Sequence, residues 1–220
     1  MKKTLIEIGL AIVVVALSIW LYNSIMTPVR FDNEYNTRRD ACATKLKEIR
    51  TLEEAYKVTY GRYTGSFDTL INRLMSEDSM LVVKKVTNYE SIPDSVDVNE
   101  IPELEAMRLG YISRTEIYVN PIDQLREDGK LTLTDEEIKN VRYVPYPKDK
   151  KYEFTLGADQ LEKSGFLVPV FECKVDLVDL LADLDEQMVV NKIAELEHIN
   201  RYPGWKVGDL TQSITDGNFE

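Results

Sequence analysis

The chain has 220 residues, 44% of them hydrophobic, with 12 tyrosines and a formal net charge of −11. That length and apolar content suit a folded domain and exclude a disordered acidic tail. The acidic balance repels phosphate backbones, so nucleic acid is not an expected partner.

The N-terminal stretch MKKTLIEIGLAIVVVALSIWLY carries no charge from Ile8 onward, and the run stays uncharged to Met26. As a helix, this run is about 28 Å long, close to the hydrocarbon thickness of a bilayer. Trp20 and Tyr22 fall toward one end, where amphipathic rings favour the headgroup level. No small-residue cleavage pattern follows the run, so an uncleaved single-pass anchor is expected. Lys2 and Lys3 favour an inside N-terminus, which puts the C-terminal body on the outer side of the membrane. Lys3 and Glu7 are i,i+4 neighbours on the helix and can pair at the membrane surface. Lys2, Lys3 and Glu7 together add +1, so the rest of the chain carries −12.

Thr27-Pro28 predicts a break or kink. A second helix is expected over 32–60. Its apolar stripe runs through Cys42, Leu46, Ile49, Leu52, Tyr56 and Tyr60 at spacings of three and four. The opposite face carries Arg39, Asp40, Lys45, Lys47, Glu48, Arg50, Glu53, Glu54 and Lys57. The stripe at Leu46, Ile49, Tyr56 and Tyr60 is either domain core or a face for a partner helix. Gly61 ends the helix.

Farther along, residues 81–87 read as a strand and 94–99 as a polar loop. Residues 101–109 read as a short helix closed by Gly110. Residues 115–119 read as a strand stopped by Asn120-Pro121. Thr134-Asp135-Glu136-Glu137 matches a capping box. Extended segments at 141–146, 152–156 and 166–175 predict an antiparallel meander. In the last, alternation puts Leu167, Phe171, Cys173 and Val175 on one face, with Glu172 and Lys174 on the other. Leu177, Leu180, Leu181, Leu184 and Met188 have helical spacing, although Met188-Val189-Val190 could open a strand. Pro-Gly and Asp-Gly turns mark the tail.

These elements imply an α+β chain: a transmembrane helix, a long amphipathic helix, then an antiparallel sheet domain. The expected divisions are 1–27 for the anchor, 28–62 for the extended helix and 63–220 for the soluble domain.

Chemistry-bearing motifs are scarce. His198 is the only histidine, no phosphate-cradling glycine loop is present, and no catalytic or cofactor-binding residue is selected. Cys42 and Cys173 have neither zinc nor redox spacing; they are two buried thiols or one disulfide. Asp176, Asp179, Asp183, Asp185 and Glu186 could offer oxygen ligands to calcium, but their spacing is not that of an EF-hand, and no metal site is assigned.

Thr4-Leu5-Ile6-Glu7, followed by the apolar run, resembles the start of type IV pilins and of the pseudopilins of type II secretion. In those families a glycine precedes the cleavage point and an aromatic or Met residue follows it; here Lys2 and Lys3 hold those positions. The resemblance implies that Glu7 neutralises the amino terminus of a neighbouring subunit. AYKVTYGRYTGSFDTLINRL is similar to the layout in which a pilin's long helix ends in a Tyr- and Gly-containing turn. It also resembles an uncharacterised group of single-span bacterial envelope proteins. The expected function is a non-enzymatic, membrane-anchored assembly subunit of an envelope apparatus. Its partners would be the lipid bilayer and other membrane proteins, copies of itself included. Two alternatives stand beside it: a permanent bitopic scaffold of a secretion or motility machine, and an anchored hydrolase or ligand-binding domain.

Overall fold

The structure, a computed structural model, describes residues 2–76, 79–88, 92–93, 97 and 101–219, with side chains described from residue 9. It combines helices with antiparallel sheets. The chain falls into two compact units: Met1–Arg50 with Lys139–Glu220, and Thr51–Ile138. The first is therefore discontinuous in sequence, and the second is inserted within it.

One helix, α1 (Lys2–Tyr60), opens the chain and contributes to both units. The expected break at Thr27-Pro28 is not there; Pro28 lies inside the helix. Proline removes one backbone donor and costs about 3 kcal/mol in a helix interior. The flanking segments offset this cost: an uncharged apolar run before it and a stripe anchored in a core after it. Thr27 Oγ1 also donates back to the Asn23 carbonyl at 2.7 Å, one turn upstream.

In the first unit, α1 packs with a three-stranded antiparallel sheet in the order β3-β4-β5 (Thr155–Lys163, Phe166–Asp176, Gly204–Gly208), and with two helices, α6 (Leu177–Leu180) and α7 (Glu186–His198). The meander expected from 141–146, 152–156 and 166–175 is corrected in two ways. Residues 141–146 and 152–156 meet only as an isolated bridge, Tyr143 to Glu153, although Thr155 and Leu156 do enter β3. The third strand comes instead from the tail, where Cys173 pairs with Val207 and Val175 with Trp205. The alternation in β4 is as expected: Phe171, Cys173 and Val175 are buried, and Glu172 lies on the other face between Lys174 (2.9 Å) and Lys206 (3.1 Å). Leu167 is the exception at 66% exposed. β5 pairs only with residues 172–176, so Leu167 lies on a two-stranded ribbon beyond the third strand. The 177–199 segment splits into α6 and α7, and Met188-Val189-Val190 is helical. Asp185 begins α7, accepting the Met188 amide at 3.0 Å.

The second unit contains the end of α1, α2 (Phe67–Ser76), β1 (Met80–Thr87), α3 (Glu103–Arg108), β2 (Ile112–Val119), α4 (Pro121–Glu127) and most of α5 (Asp135–Lys139). β1 and β2 form a two-stranded antiparallel sheet with Met80 opposite Val119. Most of the loop expected at 94–99 lies outside the described residues. The capping box is present: Glu137 Oε2 accepts the Thr134 amide at 2.9 Å, and Thr134 Oγ1 accepts the Glu137 amide at 3.4 Å.

Asn120-Pro121 stops β2 and also starts α4, a helix the sequence reading omitted. Asn120 Oδ1 accepts the amides of Ile122 (3.0 Å) and Asp123 (3.4 Å), and Pro121 takes the first helical position, where no N–H is needed. Replacing Asn120 with alanine is expected to cost about 1 kcal/mol, whereas glycine should cost only a few tenths. Thermal unfolding of the two variants checks the order.

Candidate anchor and assembly surfaces

The N-terminal part of α1 is long and apolar enough to cross a membrane, with a mean hydropathy of 2.0 over its best window and none of that window buried in the protein. The core helix of a soluble protein would be mostly covered. A signal sequence near an N-terminus would meet the same criteria of length and composition. Leu10, Leu17, Trp20 and Tyr22 are all more than half exposed, at 67%, 58%, 69% and 55%. Lys3 and Glu7 sit on the helical backbone, but their side chains lie outside the described residues.

Exposure changes to burial at Phe31 and Tyr35, whose rings stack with centroids 6.4 Å apart. Tyr35 also meets the ring of Trp205 (6.1 Å), and the Lys192 ammonium lies 5.2 Å from the Tyr35 ring centre. Burial raises the Tyr35 hydroxyl above its ordinary value. Farther along, Cys42, Leu46, Ile49 and Leu52 are fully buried, Tyr56 is 4% exposed and Tyr60 is half-buried. Of the residues expected to form a core or partner stripe, Leu46 and Ile49 therefore belong to the core of the first unit, and Tyr56 to that of the second. Cys42 and Cys173 are both buried, and no disulfide joins them. Burial pushes the Cys42 thiol up to about 12, which keeps it protonated and unreactive at neutral pH.

Among the described residues two charged side chains are buried, and the sequence reading singled out neither as a site. The first is Arg38, 4% exposed. Its guanidinium holds the Asp183 carboxylate in a two-point grip, with Nη2 to Oδ2 at 2.8 Å and Nη1 to Oδ1 closer still. Nη1 also donates to the Leu180 carbonyl at 3.0 Å, the Tyr146 ring lies 5.1 Å from the guanidinium, and Glu34 Oε2 is 3.7 Å from Nε. The hydrogen bond to Asp183 raises Arg38 further above its ordinary value, and the same bond lowers Asp183. This grip ties α1 to the segment between α6 and α7. A signal for it exists: Phe31, Tyr35, Arg38, Cys42, Leu46 and Ile49 share one helical spacing, so Arg38 is a cation on the buried stripe.

The second is Glu53, placed by sequence on the solvated face and found with no exposure at all. The correction has a simple cause. Glu53 borders the stripe beside Leu52, and the turn after Gly61 folds back over it. The Thr64 amide donates to Oε2 at 3.1 Å, while Oε1 has no hydrogen-bond partner among the described residues. Burial pushes this carboxyl up to about 8, opposed by the Thr64 amide.

The acidic run has structural duties. Asp183 binds Arg38, Asp185 caps α7, and Asp176 accepts the Tyr202 hydroxyl. Among the described residues, no group of three or more His, Cys, Asp or Glu side chains is arranged to hold a metal ion. His198 is exposed at the end of α7. A cavity of about 340 Å³ is lined by Leu196, Arg201, Tyr202, Trp205, Lys206 and Asn218. Two of its polar groups are committed elsewhere: Lys206 to Glu172 and Asp209, and Asn218 to the Gly204 carbonyl. No family model matches the chain, and neither a curated protein nor a solved structure is similar to it.

Proposed function

We propose that the chain is a non-enzymatic, membrane-anchored assembly subunit of a bacterial envelope apparatus, built on a pilin-like or pseudopilin-like plan. One observation carries the reading: a single helix whose apolar N-terminal part is left uncovered and whose C-terminal part is buried in folded protein. Apolar surface of that length finds a stable environment only in lipid or against other apolar helices. In this reading residues 9–26 pack among lipid and partner helices, and the acidic body faces the periplasm. Buried Leu46 and Ile49 leave the uncovered N-terminal part as the surface on which assembly rests.

A permanent bitopic scaffold is the second reading. Lys2 and Lys3 favour it, because they occupy the positions where the resembled families place glycine and an aromatic residue.

The test is affinity purification of the full-length protein from detergent-solubilised membranes, with identification of partners and of the N-terminal residue. Stable recovery with other membrane proteins, or with further copies, is expected. An intact N-terminus would select the scaffold, and a processed one the filament subunit. Recovery only as a cleaved, soluble monomer would overturn both.

A further inference from the structure

Glu53 is an acid placed where its charge cannot be supported. It is fully buried and receives one hydrogen bond, from the Thr64 amide. A buried carboxylate needs two or three donors or a cation to offset its lost hydration. Among the described residues, no charged side chain contributes to the shift of this carboxyl. On the segments that meet here, the charged groups are Arg50, Glu54 and Lys57 within one turn of Glu53 on α1, Arg62 in the turn, and Asp68 and Arg73 on α2. Arg50 donates to the Thr215 carbonyl at 3.3 Å and lies 3.8 Å from Asp216. Lys57 is directed to the turn itself, with its ammonium 4.8 Å from the Tyr63 ring centre and 3.4 Å from the Tyr63 hydroxyl. Arg73 lies over the Tyr60 ring at 5.7 Å. Elsewhere in this unit Arg126 is bound to Asp135 and Lys84 to Glu127.

We propose that Glu53 is a proton-operated latch: as the neutral acid it holds the 61–66 turn against α1, and on ionisation it leaves the interior and frees the turn. A carboxylate is a better acceptor than an acid, so ionisation strengthens the Thr64 hydrogen bond in isolation. One such bond is worth about 1.5–3 kcal/mol, less than the several kcal/mol needed to keep an unpaired charge out of water. The charge therefore moves to solvent, and Thr64 loses its acceptor. The turn is also held by the Gly61 amide on the Lys57 carbonyl (2.8 Å), by the Lys57–Tyr63 contact and by burial of the Tyr63 ring, which is 7% exposed. Burial of the acid sets the working range, pushing it up to about 8, so the latch responds to mildly alkaline surroundings.

Arg62 is exposed in this turn and gives trypsin a cleavage site that reports release. Full-length protein in detergent micelles is digested briefly at pH 6.5 and pH 9, beside Glu53→Gln in the same buffers. The ratio of wild-type to variant cleavage after Arg62 cancels the protease's own pH dependence. The ratio is expected to rise about thirtyfold from pH 6.5 to pH 9, as the ionised fraction climbs from about 3% to about 90% across an ionisation point of about 8. An unchanged ratio would overturn the latch. Should Glu53→Gln fail to fold, amide exchange in the wild type decides. Protection of the Thr64 amide, relative to that of Asp128 at the C-terminal end of α4, should fall about tenfold between pH 6 and pH 7, below the ionisation point. A constant relative protection rejects the proposal.

Discussion

Replacing Asp183 with alanine is expected to destabilise the protein by about 3–5 kcal/mol, because it removes the two-point partner of the buried Arg38 cation and leaves only the exposed Glu34, 3.7 Å from Nε, as a counter-charge. Arg38 would retain the Leu180 carbonyl and the Tyr146 ring, neither of which carries a charge, and the more distant, solvent-screened Glu34 carboxylate. The reverse deletion should be milder. The Asp183 side chain is 37% exposed and the Arg38 side chain only 5%, so a lone Asp183 can take up water. Arg38→Met keeps much of the packed stem and should cost about 1–2 kcal/mol. The double variant Arg38→Met with Asp183→Leu should recover most of what Asp183→Ala loses. Thermal midpoints check the order, with a drop of roughly 6–20 °C for Asp183→Ala. Equal losses for the two single variants would show that the charge is not the cause. The pH dependence has a defined sign. Arg38 holds Asp183 below its ordinary 3.8, so the pair's stabilisation is present above that value and is lost as pH falls through the lowered one.

The second large effect is expected at Gly208. Its φ is +74°, and an added Cβ would lie 2.2 Å from the Phe171 carbonyl oxygen. That oxygen belongs to the backbone of β4, so relief requires the strand pair to separate. Gly61 is the natural control, with a φ of +73° and nothing within 4 Å of the added atom. Gly61→Ala should cost about 1 kcal/mol, the left-handed conformational penalty alone. Gly208→Ala should cost more than about 3 kcal/mol, since the clash adds to the same penalty. Amide exchange resolves the location: protection should be lost at Trp205 and Val207 in Gly208→Ala and retained there in Gly61→Ala. Similar melting points for both variants would refute the clash.

These two sites show which parts of the structure the sequence carries openly. The spacing of Cys42, Leu46, Ile49, Leu52 and Tyr56 predicts their burial, because a helix repeats its faces locally. Alternation in β4 likewise assigns Phe171 and Cys173 to the interior. The capping box at 134–137 is a four-residue chemical unit and reads without ambiguity. Other features depend on distant chain. β5 follows β4 by 28 residues and is too short to announce itself, so local extended segments at 141–146 were the more visible candidates. Pro28 reads as a breaker because intrinsic propensity is local, whereas the helix through it rests on its surroundings. Glu53 and Arg38 are both charged residues at buried positions. Arg38 falls on the stripe and so leaves a trace, but its partner lies 145 positions away. Glu53 leaves only its adjacency to Leu52.

The inserted arrangement of the two units has a consequence for the order of synthesis. Residues 51–138 are continuous and can fold as soon as they leave the ribosome or translocon. The first unit cannot. Cys42, Leu46 and Ile49 emerge early, yet strands β4 and β5 come from the last third of the chain. Arg50 waits for the Thr215 carbonyl at 3.3 Å, and Lys47 for the Phe219 ring at 5.8 Å. A nascent chain held by its N-terminal segment would therefore carry an uncovered apolar stripe through most of translation. Its closure would wait for β5 and for the segment that carries Thr215 and Phe219.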